Sequence, residues 1–250
     1  MSSAVESSAF VLDCREYRET SQLIVLLTER YGRVDVVARG SRKARSGPPD
    51  RFSRIYAVWL PAKQDGALGT LTRWEFENEF PRLRESYAAY LFASVWAEAV
   101  LALTARGAED RPSFELTAQF LEALSQELAR DQPSWGLLRR LWQLFEIHGY
   151  AVAWRECCRC GANAGMSHFS WDDMSPVCGR CVGATDDVFP LSEALASGLV
   201  AVGRGTPWQS RPSRATIEEF LILFDEAMRR VADKRLPSLA LLRARYAPEQ

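Results

Sequence analysis

Residues 23–38 read LIVLLTERYGRVDVVA, and this stretch indicates the fold of the N-terminal part of the chain. Leu23 to Thr28 is an apolar run rich in strand-forming residues. The turn signal Tyr31–Gly32 follows it, and Arg33 to Ala38 is a second run in which valines surround Asp35. Short apolar runs of this kind, separated by turn residues, are typical of β-strands. The stretch therefore predicts two short strands joined by a turn.

Similar runs lie on both sides of this stretch, at Ala9–Leu12, Tyr56–Leu60 and Gly69–Trp74. Gly40–Ser41 and Gly47–Pro48–Pro49 supply turn signals between them. About five short strands with turns every 8–12 residues indicate a small sandwich or barrel over residues 8–80.

The spacing of apolar residues changes to a helical one after residue 80. This pattern predicts helices over 83–104, 112–130, 133–149, 191–202 and 215–231, with a further one after Pro237. A cysteine-containing segment, 157–181, interrupts the helical region as an insert. The fold class predicted is therefore α+β, with a barrel followed by a helical domain.

Two Cys-x-x-Cys elements lie within the insert, Cys157 with Cys160 and Cys178 with Cys181. Two such elements at this separation complete a closed tetrahedral site for one Zn²⁺. Because four thiolates leave no open position for water, the site is predicted to be structural. Residues 168–177 are long enough for a hairpin that turns at Asp172–Asp173.

The two remaining cysteines have simpler interpretations. The Cys-x-x-Cys-Gly register leaves Cys158 spare, and Cys14 in the barrel is most simply a small apolar residue. Cysteines at metal-binding spacing fit a protein in a reducing compartment. The alternative, a disulfide framework, suits short secreted chains better than a chain of this length.

Composition limits the classes of protein that fit. The chain has 250 residues, 47% of them hydrophobic, and a net charge of -1, so it is globular and not basic overall. It has no long apolar run and no signal peptide at Met1, which predicts a cytoplasmic protein without a membrane partner.

The charge is unevenly distributed along the barrel sequence. Residues 30–54 hold eight arginines and lysines but only two carboxylates, Asp35 and Asp50. A cationic, turn-rich segment of this kind can neutralise phosphates and release counterions. Four aromatic residues flank it and could stack on unpaired bases: Tyr31, Phe52, Tyr56 and Trp59. The alternative is that Tyr56 and Trp59 belong to the barrel core.

Three parts of the chain together resemble the RecO family of bacterial recombination proteins. The N-terminal part carries Ala9–Leu12, Arg15, Glu19–Ser21, Thr28–Glu29, Gly32–Val34, Val37–Gly40, Arg42 and Arg45–Ser46. The middle carries Glu156–Cys157, Cys160–Gly161, Phe169–Ser170, Cys178 and Cys181, and the end carries Arg235–Ser238 with Leu241–Leu242. The order and spacing of these segments make the resemblance specific.

The resemblance implies an OB-fold in residues 1–80 and a helical domain in 81–250, with a zinc-finger insert at 155–184. It implies a recombination mediator that binds single- and double-stranded DNA and anneals complementary strands. Its implied partners are RecR and the acidic C-terminal tail of the single-stranded DNA-binding protein. With RecR, such a protein helps to load RecA onto coated strands, close to the nucleoid.

The basic residues within the resembling segment are the predicted DNA contacts: Arg33, Arg39, Arg42, Lys43 and Arg45, with Arg15 and Arg18 as weaker candidates. Arg139 and Arg140 lie beside the apolar residues Leu141, Trp142 and Phe145, an arrangement that suits an acidic, aromatic-ended tail or simply an amphipathic helix.

Two other classes of protein remain open from the residues. A zinc-ribbon RNA-binding or transcription-associated factor would use the same basic barrel to bind a different nucleic acid. A nuclease would need a cluster of carboxylates to bind a catalytic metal ion. The sequence has no phosphate-binding P-loop and no nucleophile motif, so no catalytic residue is predicted.

Overall fold

The structure is a computed structural model, and it describes residues 3–62, 64, 67–127, 133–150, 152–203 and 211–247. The chain divides into two compact units, Met1–Ser125 and Gln126–Gln250.

Five strands in the described part of the first unit close into a barrel with the neighbour order β1-β2-β3-β5-β4. Their bounds are Val5–Tyr17 (β1), Ser21–Thr28 (β2), Gly32–Ala38 (β3), Arg54–Leu60 (β4) and Gly69–Asn78 (β5). Each of the five predicted runs lies inside one of these strands, and the barrel is an OB-fold.

The long first strand closes the barrel, because its first half pairs with β4 and its second half with β2. The register shifts between Val11 and Asp13, where a bulge bends the strand from one partner to the other. The local apolar run at 9–12 covers only the buried middle of β1, so the sequence pattern predicted a shorter strand.

Alternating side chains fill the barrel interior. Ile24 and Leu26 of β2 and Val36 and Ala38 of β3 belong to one buried cluster with Trp59. The residues between them in β2 and β3 point to the outer face, as the two-residue period of a strand requires.

Three helices follow the barrel in the chain: α1 (Arg82–Glu85), α2 (Tyr87–Leu103) and α3 (Arg111–Glu127). The single helix predicted over 83–104 is therefore wrong at its start. Ser86 has extended backbone angles, and its Oγ accepts a hydrogen bond from the Ala89 N–H. An N-cap serine ends the short helix and begins the long one.

The second unit contains four described helices, α4 (Trp135–Ile147), α5 (Glu193–Gly203), α6 (Arg214–Ala232) and α7 (Pro237–Tyr246). They confirm the predicted segments, and the expected end of α3 near Arg130 falls outside the described residues. Trp142 lies at the centre of this unit, with its ring in contact with Trp154 and Phe169. None of the described helices is both long and apolar enough to cross a membrane.

The cysteine segment forms a small sheet in the order β7-β6-β8, with strands Met166–Ser170 (β6), Ser175–Cys178 (β7) and Val188–Pro190 (β8). β6 and β7 are the predicted hairpin, and Asp172 and Asp173 lie in its turn. The sequence pattern did not indicate β8, because three residues ending in proline carry no periodic signal.

Candidate metal centre and nucleic-acid surface

The four cysteines with metal spacing converge in the structure. Their Sγ atoms all lie within 4.8 Å of one another, and those of Cys160 and Cys178 are 3.7 Å apart. Sulfurs bound to one tetrahedral zinc at about 2.3 Å would be separated by about 3.8 Å. The cluster therefore has the size and donor set of a closed four-sulfur metal site.

Backbone hydrogen bonds hold the first Cys-x-x-Cys element in a tight turn and join it to the second. The Cys178 N–H donates to the Cys157 Sγ at 3.3 Å, and the Gly161 N–H donates to the Cys157 carbonyl at 2.9 Å. Gly161 has a φ of 70°, which a glycine adopts without the steric cost that another residue would meet. The residue after the first element is thus suited to its tight turn.

The thiols of the cluster differ in how readily they ionise. Burial alone would raise the pKa of Cys157, but N–H groups of Cys178, Arg159 and Cys160 lower it to about 6. In contrast, the sulfurs of Cys160 and Cys178 raise the pKa of Cys181 to about 12. Because all four sulfurs would have to be thiolates to bind a metal, metal binding at this cluster would release protons.

Arg159 ties the metal segment together from within the first element. Its Nε donates to Asp173 Oδ2 in the hairpin turn at 3.0 Å, and its Nη1 donates to the Cys181 carbonyl at 2.8 Å. It also forms an ion pair with Asp186, whose pKa is lowered by the Gly183 N–H and by Arg159. Arg159 thus links the hairpin turn to Asp186 and to the second Cys-x-x-Cys element.

Cys158 is outside the cluster, in agreement with the register of the motif. It is exposed, and its N–H donates to the Pro176 carbonyl at 3.1 Å. Burial of the sulfur and the nearby Asp173 raise the pKa of Cys158 to about 11. Cys158 thus carries a thiol that ionises less readily than an ordinary cysteine and takes no part in the cluster.

The basic segment forms the connection between β3 and β4, and its base is anchored to the barrel. Ser41 is fully buried and its Oγ donates to Gln22 Oε1 at 2.9 Å, while Gln22 Nε2 donates to the Pro49 carbonyl at 3.2 Å. We call residues 39–46 the basic loop. It carries four cations and no carboxylate.

The cations of the basic loop differ in their partners. Arg39, Lys43 and Arg45 are exposed, and within the described residues their side chains have no ion-pair or hydrogen-bond partner. Arg42 is also exposed but pairs with Glu16 at 2.9 Å and donates to the Glu19 carbonyl at 3.2 Å. The structure therefore brings four of the five predicted DNA contacts together on one loop.

Arg33 lies elsewhere, at the other end of β3. Its Nη1 donates to the Leu101 carbonyl at 2.5 Å, and burial lowers the pKa of its guanidinium. Beside it, Asp35 forms an ion pair with Arg106. The side chain of Arg33 is thus committed to the end of α2, a role that charge counting along the sequence could not distinguish from a surface role.

The flanking aromatic residues divide between core and surface. Trp59 is 2% exposed, so the core interpretation holds for it, whereas Tyr56 is only half-buried. Phe52 is also buried, at 3% exposed, and Tyr31 is 38% exposed. Tyr17, which the sequence analysis did not consider, is exposed to the same extent at the end of β1. Only its position in the strand register of the barrel marks Tyr17 as a candidate functional residue.

The second predicted pair, Arg139 and Arg140, lies on a helix that is mostly core. Arg139 is held by Glu146 at 2.7 Å, and Arg140 donates to the Gly136 carbonyl at 3.3 Å. Three apolar neighbours on this helix are fully buried: Leu141, Trp142 and Phe145. The apolar face beside the arginines is therefore packed within its own unit.

An OB-fold barrel that exposes a cationic loop, followed by a helical region with a four-cysteine cluster, defines a multidomain α+β class of protein. Residues 1–80 match the family model described as "Recombination protein O N terminal", and residues 84–240 match "Recombination protein O C terminal". The chain belongs to the RecO family.

Individual relatives agree with this assignment. The chain is 29% identical to the DNA repair protein RecO of Bacillus pumilus over 201 residues, which are 77% of this chain and 74% of that protein. It is 28% identical to that of Geobacter metallireducens over 247 residues, 96% and 97% of the two chains. The corresponding figures for Pelotomaculum thermopropionicum are 30% over 207 residues, 80% and 73%.

Proposed function

We propose that this protein is a recombination mediator in DNA repair that carries out no bond chemistry. It binds single- and double-stranded DNA, anneals complementary strands and, with RecR, helps to load RecA onto strands coated by single-stranded DNA-binding protein. The observation that carries the proposal is the basic loop on an OB-fold barrel, in a chain of the RecO family.

The physical reason is the repulsion between two DNA strands. Annealing brings two polyanions together, and cations that neutralise phosphates on both strands lower this barrier. Arg39, Lys43 and Arg45 are suited to this role because no carboxylate among the described residues pairs with them. Contacts to phosphates carry no sequence information, as annealing of arbitrary sequences requires.

The metal is proposed to be one Zn²⁺ with a structural role, held by Cys157, Cys160, Cys178 and Cys181. The donor set and the close approach of the four sulfurs support zinc. When bound, the ion would hold the two Cys-x-x-Cys elements together and would leave no position for a reacting water. Arg159 and the hairpin turn would support it from outside.

The partner assignments extend the proposal to the rest of the chain. We propose domains at 1–80 and 81–250 with the zinc insert at 155–184, and a cytoplasmic, nucleoid-associated location. Contact with the acidic tail of the single-stranded DNA-binding protein at Arg139 and Arg140 stays a prediction. What supports it is that Arg139 Nη1 is buried with no acceptor among the described residues.

An annealing experiment tests the proposed function. Two complementary oligonucleotides are mixed with the protein, first bare and then coated with cognate single-stranded DNA-binding protein, at low and moderate salt. We expect faster annealing in both cases. Acceleration of bare strands alone would contradict the partner assignment, and no acceleration would favour a zinc-ribbon RNA-binding factor, which a preference for RNA would then identify.

Reversing two charges on the basic loop should weaken DNA binding independently of sequence. We expect Lys43→Glu with Arg45→Glu to make the slope of log affinity against log salt shallower by about two, because two phosphate contacts are lost. Titration by fluorescence anisotropy at several salt concentrations measures this. Arg73→Glu, a 62% exposed cation on β5, is the matched control. An unchanged slope in the double variant would remove the loop from the proposed function.

A further inference from the structure

The barrel register places Arg15, Tyr17 and Ser21 on one outer face with Arg39, which is distant from them in sequence. Tyr17 pairs with Ser21 and Arg15 pairs with Leu23 across β1 and β2. Directly opposite residues in an antiparallel pair have their side chains on the same face, about 5 Å apart. Tyr17 and Arg15 are therefore neighbours on this face, with the small Ser21 beside the tyrosine.

The third strand adds Arg39 to the same row. Gln22 pairs with Ala38 across β2 and β3, so the next residue, Arg39, continues beside Ser21. The Gly40 N–H donates to the Ser21 Oγ at 3.4 Å, which confirms this proximity. Tyr17, Ser21 and Arg39 thus lie side by side across the three strands. We call the surface formed by these three residues and Arg15 the tyrosine face.

The tyrosine face is directed away from the barrel core. Ile24, on the opposite parity of β2, is 1% exposed inside the barrel, whereas Tyr17 is 38% exposed and the Arg15 side chain 74%. Arg39 is also exposed. An exposed aromatic ring between two cations is the combination that binds unpaired nucleotides, because bases stack on the ring and phosphates meet the cations.

The turn between β1 and β2 orients the ring. Arg18 has a φ of 56°, which is uncommon for a residue other than glycine, and its guanidinium lies over the Tyr17 ring at 5.2 Å from the centroid. The Tyr17 ring is thus held in place by the Arg18 guanidinium at the hairpin end and not by packing in the core. Carboxylates nearby are compensated: Arg15 pairs with Asp13 at 3.2 Å, and Arg42 pairs with Glu16.

We propose that Tyr17 stacks on an unpaired nucleobase of single-stranded DNA, and that Arg15 and Arg39 contact the phosphates on either side. This inference rests on the proposed function and adds a preference to it. A base inside a duplex has both faces covered by its neighbours, so the ring is available only to unpaired bases. The basic loop then holds either kind of DNA, and the tyrosine face distinguishes single strands.

Tyr17→Ala tests the inference with three ligands of equal length: an oligothymidylate, its abasic counterpart and a duplex. We expect the affinity for the oligothymidylate to fall on the order of tenfold, because one base–aromatic stack is lost. Affinity for the abasic strand and the duplex should not change, nor should the salt slope for any ligand. Tyr17→Phe should keep the affinity of the unmodified protein.

Tyr87→Ala is the control, because Tyr87 is 60% exposed but lies at the start of α2 and not on a barrel strand. Thermal melting of each variant checks that the barrel is folded. No loss for the oligothymidylate, or an equal loss for the abasic strand and the duplex, would overturn the inference. If Tyr17→Ala has no effect while the basic-loop variant lowers the salt slope, only the inference fails. Absence of DNA binding by the unmodified protein would overturn the proposed function as well.

Discussion

Cys178→Ser is expected to reduce bound zinc from about one ion per chain to nearly none, because three thiolates and a hydroxyl form a far weaker site than four thiolates. Cys178 is the most informative of the four cysteines to change. Cys178 is buried, at 2% exposed, and has no other cysteine next to it in the chain. The loss of Cys157, in contrast, could be compensated by the adjacent Cys158. Metal analysis of the desalted protein measures the effect.

The structural consequence should be local to the two Cys-x-x-Cys elements. The free energy of binding a structural zinc, on the order of 10 kcal/mol in small zinc fingers, is also free energy of folding. Phe169 is fully buried against Trp142, so the hairpin keeps an apolar anchor without the metal. Amide hydrogen exchange should therefore accelerate around residues 157–161 and 178–183 but not in α4.

Cys158→Ser separates ligand loss from the general effect of changing a cysteine in this segment. It changes a neighbouring sulfur that lies outside the cluster, so zinc content and exchange should stay as in the unmodified protein. Full zinc retention in Cys178→Ser, or an equal loss in Cys158→Ser, would contradict the four-cysteine site.

The features that sequence predicted correctly are those with a local, repeated signal. The barrel strands alternate strand-forming runs with turns, and Cys157, Cys160, Cys178 and Cys181 have a spacing that few other structures require. Both signals depend on residues close together in the chain. The fold class and the composition of the four-cysteine cluster follow from them without any knowledge of the packing.

The features that sequence missed depend on the partner of a residue. Arg33 and Arg39 are the same residue type six positions apart, yet Arg33 donates to the Leu101 carbonyl and Arg39 is exposed. Tyr17 is notable only because strand register places it beside Ser21, near Arg39. Such roles are set by tertiary contacts, which a count of charges and aromatic residues does not contain.

Gly32→Ala is expected to destabilise the first compact unit by about 3–5 kcal/mol, which combines backbone strain with a steric clash. Gly32 has a φ of 59°, and an added Cβ would lie 1.7 Å from the Ala108 carbonyl oxygen. That oxygen belongs to the segment after α2, whose Gly107 N–H donates to the Arg33 carbonyl at 2.9 Å. Since backbone atoms cannot move aside as a flexible side chain can, the contact itself must open.

Gly47→Ala isolates the contribution of the clash. Gly47 has a φ of 78°, but no atom of the described residues lies within 4 Å of an added Cβ, so this change should cost only about 1 kcal/mol of backbone strain. Chemical denaturation of both variants compares the two costs, and equal destabilisation would contradict the close approach at Gly32. Because Gly32 lies at the end of β3 opposite the basic loop, Gly32→Ala should lower the folded fraction while the folded molecules keep their DNA affinity. A mediator weakened in this way would lose activity in proportion to its unfolded fraction, which distinguishes it from the charge variants.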